Sequence, residues 1–256
     1  MIKLGVCADI GKINQVARAG FDYLECSLTA LEAMPEGDFQ AALDRVSASP
    51  IKVEAVNGMI PATLPVTGNN VNAQNLHDYL EKAFDRARRL GVRVAVFGSG
   101  GARRLPEGFD TAQGWRQIAN FLRLAERHAA DNDIVIAIEP LRSGECNILN
   151  YVSEAVCVAS IIQMPHIAVL ADTYHMAMGG EGFGSIRMAG DLLKHVHTAN
   201  AIGRRFPKTG DGEKYQELFD TLREIGYQGR VSVEGGCDDF ETDCKEAFRV
   251  LNAVRG

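Results

Sequence analysis

Four apolar segments in the second half of the chain each end on a residue that can ligate a metal ion. The four residues are Glu139, Asp172, His197 and Glu234. Three oxygen donors with one imidazole suit Mn²⁺, Mg²⁺ or Co²⁺ better than a structural zinc site, in which thiolates predominate. Three carboxylates crowded together raise one another's pKa unless a cation neutralises them. The residue types therefore predict a divalent-metal site.

Two glutamates beside a bound cation are suited to proton transfer at a carbon atom. A divalent ion that holds a carbonyl oxygen and the neighbouring hydroxyl stabilises an enediolate as the carbon-bound proton leaves. Inversion at that carbon also requires delivery of a proton to the opposite face, so one carboxylate serves as base and the other as acid. Glu139 and Glu234 are the predicted acid/base pair.

The four residues can meet only if their strands lie side by side in one sheet. Apolar or β-branched runs recur eight times, and each is followed by a stretch with helical periodicity, which is typical of a parallel sheet with crossover helices. In a closed barrel of such units, catalytic groups gather at the carboxyl-terminal rim. The predicted strands are 2–8, 23–28, 52–56, 93–97, 134–139, 167–172, 195–198 and 230–234. The predicted helices are 13–19, 38–47, 73–90, 111–132, 152–163, 185–193, 213–225 and 240–254.

The predicted fold is α/β, a single (β/α)8 TIM barrel in which residues 1–256 form one domain. Eight units of about 30 residues match the usual length of that barrel, and no linker rich in serine, glycine or proline divides the chain. The alternative, a doubly wound open sheet, normally has a glycine-rich turn after its first strand. The first strand here ends in Cys7-Ala8-Asp9-Ile10-Gly11, which lacks that turn.

The overall charge and the cysteine content exclude several classes of partner. The formal net charge of −6 disfavours binding to nucleic acid or to anionic lipid. No apolar run approaches the roughly 18 residues of a membrane-spanning helix. The six cysteines are widely spaced and form no CxxC pair, which is typical of reduced thiols. A cytoplasmic location is expected, with no membrane and no nucleic acid as partner.

Over essentially its whole length, and most specifically from Glu139 to Glu234, the chain resembles the xylose isomerase-like TIM barrel superfamily of sugar isomerases and epimerases, and within it the ketose 3-epimerase group. The resemblance implies that Glu139, Asp172, His197 and Glu234 ligate the metal, with Glu139 and Glu234 also acting as the acid/base pair. It implies that Glu145, His175 and Arg204 contact the hydroxyls and carbonyl of a sugar substrate. The matching segments are Ile138-Glu139-Pro140-Leu141 with Glu145, Ala171-Asp172-Thr173-Tyr174-His175-Met176, His195-Val196-His197, Arg204-Arg205-Phe206-Pro207 and Val233-Glu234-Gly235.

By this resemblance the expected cofactor is Mn²⁺, with Mg²⁺, Co²⁺ and Zn²⁺ as alternatives, and the expected partner is a small-molecule sugar. A homo-oligomer is possible, since exposed barrel helices commonly pair. The chain departs from the group between His197 and Arg204. Asn200 stands where the group usually has a glutamate, and one extra residue precedes the arginine. The identity of the sugar therefore stays open.

Four other functions compete with ketose 3-epimerisation. The same enolising site could serve an aldose–ketose isomerase of the hydroxypyruvate isomerase type, or a dehydratase acting on an inosose-like substrate. An abasic-site endonuclease requires a trinuclear zinc cluster rich in histidine, and the acidic chain has six histidines in all. A non-catalytic sugar-binding barrel would not need both Glu139 and Glu234.

Several neighbouring residues have alternative interpretations. His175 is expected on the loop above the barrel, where it either donates to a substrate oxygen or faces water. His195 lies one layer below His197 and is expected to support the site or the core rather than to ligate. Glu145 orients a hydroxyl or caps a loop. The glycine-rich segment 97–104, with two arginines, could cradle a phosphate group.

Overall fold

Eight parallel strands close into a barrel in the computed structural model, which describes residues 1–256. Strands adjacent in sequence pair with each other, and pairing of Lys3 with Arg230 and of Val6 with Val233 joins the last strand to the first. The predicted (β/α)8 barrel is confirmed, and every predicted strand overlaps an observed one. The strands are β1 (Lys3–Cys7), β2 (Tyr23–Ser27), β3 (Lys52–Asn57), β4 (Val94–Phe97), β5 (Val135–Ile138), β6 (Ile167–Asp172), β7 (Leu193–Thr198) and β8 (Arg230–Val233).

Eleven α-helices and two short 3-10 turns, Ile10–Lys12 and Gly190–Leu192, connect the strands. Three helices of four to seven residues were not predicted, because elements of two turns or fewer show little periodicity; the equally short helix 13–19 was predicted. These three helices, Leu28–Ala33, Gly100–Arg103 and Thr173–Gly179, each begin close after the carboxyl end of a strand. The helices are α1 (Ile13–Ala19), α2 (Leu28–Ala33), α3 (Glu36–Ala48), α4 (Ala73–Leu90), α5 (Gly100–Arg103), α6 (Thr111–Asp131), α7 (Val152–Ile162), α8 (Thr173–Gly179), α9 (Gly184–Ala189), α10 (Tyr215–Glu224) and α11 (Phe240–Asn252).

The predicted helix 185–193 was wrong at its carboxyl end. Helix α9 ends at Ala189, and Gly190 adopts φ 49° and ψ −128°, a conformation that continues no helix. A 3-10 turn follows, and Leu193 already belongs to β7. The strand that carries the predicted histidine ligand is therefore two residues longer than its sequence pattern indicated.

A small cluster of buried side chains fills the interior of the barrel. These residues show which side chains of each strand point towards the barrel axis. Tyr23, Ala137 and Leu170 belong to this buried interior cluster. Side chains alternate along a strand with a period of two, so the residues two positions later also face inwards. Those residues are Glu25, Glu139 and Asp172. The functional groups thus form the layer directly above the apolar interior.

Candidate metal centre

Glu139, Asp172, His197 and Glu234 converge at the carboxyl ends of β5 to β8. One ligand atom from each residue lies within 4.8 Å of the other three. Glu139, Asp172 and His197 are buried, whereas the side chain of Glu234 is 23% exposed. The structure therefore brings the four predicted ligands together at one point. Their roles as ligands stay a prediction.

Burial makes the carboxylates of this cluster difficult to ionise together. Burial, with the charges of Glu139 and Glu234, raises the pKa of Asp172 to about 7. Burial likewise raises the pKa of Glu139. Burial also opposes ionisation of Glu234, but the charge and hydrogen bond of His197 outweigh it and lower the pKa of Glu234 to about 2. The cluster lacks enough positive charge for all its carboxylates.

The donor set fits a divalent cation. His197 Nδ1 lies 3.2 Å from Glu139 Oε1 and 3.1 Å from Glu234 Oε2. Two atoms bound to one ion at about 2.0–2.2 Å are separated by roughly this distance. Three carboxylates and one imidazole nitrogen leave coordination positions for substrate oxygens, and such an oxygen-rich set suits Mn²⁺ or Mg²⁺. The residues present could therefore hold the predicted ion.

Arg204 inserts a guanidinium group into the same cluster. Its Nη2 donates to Glu234 Oε2 at 2.6 Å and to Asp172 Oδ2 at 3.2 Å. The residue adopts a left-handed conformation with φ 50°, which is costly for a side chain other than glycine. The Arg204 carbonyl accepts from Gly236 N–H at 2.7 Å, which helps to hold the turn. The prediction placed Arg204 at the substrate, and the structure places it beside two of the predicted ligands.

The expectation that His175 lies on a loop was wrong. The Asp172 carboxylate accepts from Tyr174 N–H at 2.8 Å and so caps α8, which begins directly after β6. His175 consequently lies in the first turn of that helix and is 2% exposed. Its Nε2 is 3.5 Å from Asp172 Oδ2 and 3.4 Å from Arg204 Nη2. Burial and Arg204 lower the pKa of His175 to about 3, so the imidazole is neutral at pH 7.

Glu145 lies at the edge of the cluster with about a third of its side chain exposed. Its Oε1 accepts from Arg142 Nε at 2.9 Å. Its Oε2 lies 3.8 Å from Arg204 Nη1 and 3.9 Å from His175 Nε2. The three residues predicted to contact a substrate are therefore neighbours, and their contact with substrate stays a prediction.

Two residues at this site were missed in the sequence. Glu25 on β2 is fully buried and accepts hydrogen bonds from both His195 and His197. Asn57, at the end of β3, donates to Glu234 Oε1 at 3.2 Å. A glutamate between the apolar residues Leu24 and Cys26 was the available signal for Glu25, because charged groups are rarely buried without partners. His195 lies below His197, as expected.

The glycine-rich segment after β4 lies beside the Glu139 carboxylate. A Cβ atom on Gly98 would lie 2.0 Å from Glu139 Oε2, and one on Gly100 would lie 2.9 Å from the Leu141 side chain. These glycines allow the segment to pack against the chain that follows β5. Arg103 is fully buried and donates to backbone carbonyl groups. The glycines and Arg103 thus have packing roles, and phosphate binding by this segment stays untested.

Replacement of Arg103 with alanine is expected to destabilise the protein by about 3 kcal/mol, because it leaves a cavity and removes one of the two donors from each of two carbonyl groups, which keep only their backbone N–H donors. Those carbonyls belong to Phe97 and Leu149, at 3.0 and 3.3 Å from the guanidinium. Denaturant unfolding measures the change. The exposed neighbour Arg104 is the control, and Arg104→Ala should cost less than about 1 kcal/mol. Equal losses from both variants would contradict the structural role of Arg103.

A cavity of about 420 Å³ opens beside Glu234, between the ends of β1, β2 and β3. Its lining includes polar side chains from Asp9, Ser27 and Asn57 and apolar ones from Leu31 and Met34. A volume of this size is typical of small-molecule sites. Two larger cavities lie between α6 and α7 and at the opposite end of the barrel, away from the cluster.

The helices were also compared with the length and hydropathy that a membrane-spanning segment requires. None of them reaches both.

Comparison with known proteins gives one family and several relatives. A family model described as xylose isomerase-like TIM barrel matches residues 13–254. The D-psicose 3-epimerase of Agrobacterium fabrum is 29% identical over 230 residues, which cover 87% of this chain and 77% of that protein. A putative hydroxypyruvate isomerase of Homo sapiens is 27% identical over 164 residues, 60% of this chain and 58% of that protein.

A crystal structure of D-psicose 3-epimerase from Clostridium cellulolyticum H10 with D-tagatose has the same fold. It superposes with a TM-score of 0.87 at 20% identity and covers 99% of both chains. At this level of identity the similarity concerns the fold.

Proposed function

Since this chain belongs to the xylose isomerase-like TIM barrel family, we propose that it is a divalent-metal-dependent ketose 3-epimerase. The observation that carries the proposal is the cluster of Glu139, Asp172, His197 and Glu234, whose ligand atoms lie within 4.8 Å of one another. A D-psicose 3-epimerase and a putative hydroxypyruvate isomerase among the relatives support an epimerase or isomerase. The length of the match to the epimerase favours 3-epimerisation.

The proposed ligands are Glu139, Asp172, His197 and Glu234, and the proposed ion is Mn²⁺, with Mg²⁺, Co²⁺ and Zn²⁺ as alternatives. When bound, the ion supplies electrostatic stabilisation of the negative charge that develops on the substrate's carbonyl oxygen. All six cysteines are free thiols, which fits the proposed cytoplasmic location because that compartment is reducing.

Glu139 and Glu234 are proposed to exchange the proton at C3. They follow β5 and β8, the two outer strands of the four that carry the cluster. One carboxylate removes the C3 proton and the other delivers a proton to the opposite face, and their roles exchange in the reverse reaction. Asn57 donates to Glu234 Oε1, which fixes the orientation of that carboxylate.

Arg204, His175 and Glu145 are proposed to orient the sugar. Arg204 carries a fixed positive charge beside Asp172 and Glu234, so it can donate to a substrate oxygen at the cluster. The neutral imidazole of His175 accepts from Arg142 N–H at Nδ1, so the proton on its Nε2 is available to donate to a substrate oxygen. Glu145 lies beside the guanidinium groups of Arg142 and Arg204, and it can accept a hydrogen bond from a substrate hydroxyl group. Polar contacts of this kind hold the reacting carbon near the two carboxylates.

Hydrogen exchange in D₂O tests the proposed reaction. Free and phosphorylated ketoses would be incubated with the Mn²⁺-loaded protein and followed by NMR, with protein-free samples as controls. The expected result is deuterium at C3 together with the C3 epimer. An aldose–ketose isomerase would move label between C1 and C2 instead, and a dehydratase would produce a chromophore. Absence of C3 exchange in every ketose would refute the proposal.

Replacement of Gly98 with alanine is expected to lower turnover by about 100-fold, because a displacement of about 1 Å at a reacting group has an effect of that order. The added Cβ would lie 2.0 Å from Glu139 Oε2, so the carboxylate must move. Gly182 has open space around it and no left-handed φ, so Gly182→Ala is the matched control. Steady-state kinetics at saturating Mn²⁺ measures both variants. Wild-type turnover in Gly98→Ala would contradict the placement of Glu139.

A further inference from the structure

Glu25 is a buried carboxylate with three hydrogen-bond donors around it. Its Oε1 lies 2.9 Å from His197 Nε2. Its Oε2 lies 2.7 Å from His195 Nε2 and 2.6 Å from Ser232 Oγ. The residue is 0% exposed, so these hydrogen bonds take the place of water around its carboxylate. An ionised carboxylate can accept all three bonds, because it has about four acceptor positions and no proton to donate.

The direction of each bond follows from this acceptor. Ser232 must give its hydroxyl proton to Glu25, so the Tyr23 hydroxyl, 2.6 Å from Ser232 Oγ, donates in turn to Ser232. Both histidines likewise present a protonated Nε2 to Glu25. An imidazole that ligates a metal ion through one ring nitrogen carries its single ring proton on the other. In His197 that proton is therefore placed on the nitrogen that faces away from the four-residue cluster.

We infer that Glu25 is a positioning residue that holds His197 with the lone pair of Nδ1 directed at the cluster of Glu139, Asp172 and Glu234. The Nδ1 atom lies 3.2 Å from Glu139 Oε1 and 3.1 Å from Glu234 Oε2. A carboxylate behind a ligating imidazole fixes both the tautomer and the ring orientation. The inference rests on the proposed metal centre and assigns a function to a residue outside its ligand set.

His195 supports the same arrangement. It is fully buried, its ring lies 5.0 Å from that of His197, and its Nδ1 has no hydrogen-bond partner. An unpaired buried polar atom is destabilising, so the packing of the barrel alone does not favour this histidine. Its Nε2 proton, however, binds the second oxygen of Glu25. The Glu25 carboxylate is thereby held between two imidazoles and cannot rotate away from His197.

Mn²⁺ affinity measured by titration calorimetry tests the inference without any substrate. Glu25→Gln replaces the carboxylate with an amide. The NH₂ group of that amide then faces either His197 or His195, where the carboxylate had accepted a hydrogen bond. We expect it to weaken Mn²⁺ binding by about 10-fold to 100-fold, the usual effect of losing such a partner. Ser232→Ala removes a different donor to Glu25 and is the matched control. Its affinity should stay within about threefold of wild type, since the contact to His197 remains.

The outcomes separate positioning from a structural role. If Glu25→Gln binds Mn²⁺ within threefold of wild type, or if Ser232→Ala weakens binding equally, the inference is overturned. The ketose exchange assay is independent of this result, so either proposal can fail alone. Should Glu25→Gln not fold, ¹⁵N NMR of the Zn²⁺-loaded wild-type protein decides. Metal ligation through His197 Nδ1, with a slowly exchanging Nε2 proton, supports the inference, and ligation through Nε2 overturns it.

Discussion

Turnover by Glu139→Gln or Glu234→Gln is expected to fall by about 1,000-fold, because general acid–base groups contribute effects of this size and an amide cannot accept the proton. Glutamine keeps the shape of the side chain and retains one oxygen. The fold should therefore persist, with some affinity for the ion. Each variant should be assayed at saturating Mn²⁺, so that weaker ligation is not mistaken for lost proton transfer.

The control for both variants is Glu217→Gln. Glu217 lies on the exposed surface of α10 and pairs only loosely with Lys214, at 3.5 Å. The same chemical change there should leave turnover unchanged. Wild-type rates in either Glu139→Gln or Glu234→Gln would show that the two-carboxylate mechanism is wrong. With one ketose as substrate, C3 exchange without epimerisation in one variant and no exchange in the other fits the two-carboxylate mechanism, because only one of the two groups faces the C3 hydrogen. Epimerisation that persists in one variant would mean that a single glutamate carries the proton.

Removal of divalent ions with a chelator is expected to abolish epimerisation and to lower the stability of the protein. Addition of Mn²⁺ or Co²⁺ should restore both. An ion present at 100 times its dissociation constant stabilises the folded state by about 2.7 kcal/mol. Thermal unfolding with and without Mn²⁺ measures this shift, and kinetics on the same samples measures activity.

The physical reason for the stabilisation is the charge of the cluster. Buried carboxylates repel one another, and burial raises the pKa of Asp172 to about 7. Arg204 offsets part of this repulsion, so the metal-free barrel should remain folded. Activity that persists after treatment with a chelator would show that the mechanism requires no metal ion. Asp238→Asn is the control for the loss of a carboxylate outside the cluster, because Asp238 is exposed and pairs with Arg205. Its stabilisation by Mn²⁺ should match that of the wild type.

The barrel and its rim of ligands could be predicted because the evidence for them is local. Each strand appears as an apolar run, and side chains alternate with a period of two along it. A residue that ends such a run therefore has a known direction once the sheet is parallel and closed. Glu139, Asp172, His197 and Glu234 all lie at, or directly after, the carboxyl ends of such strands, and their convergence followed from eight repeats of one pattern.

The short elements around the rim could not be predicted in the same way. Helix α8 begins because Asp172 caps it, and this placed His175 in a buried helical turn instead of on a loop. The segment after β4 contains glycines and arginines that suit a phosphate. Its actual role depends on packing against Glu139 and Leu141, which lie on the next unit of the barrel.

The sequence alone determined that this protein is a parallel barrel with metal-binding residue types at one rim, because hydrophobic periodicity is a property of neighbouring residues. Only the tertiary structure decided which buried polar groups become partners. Glu25 lies 170 residues from His195 in the chain, and the hydrogen bond between them exists because β1 pairs with β8 and closes the ring. A buried charge is tolerated only where its partners converge, and that convergence depends on the closure of the barrel in space.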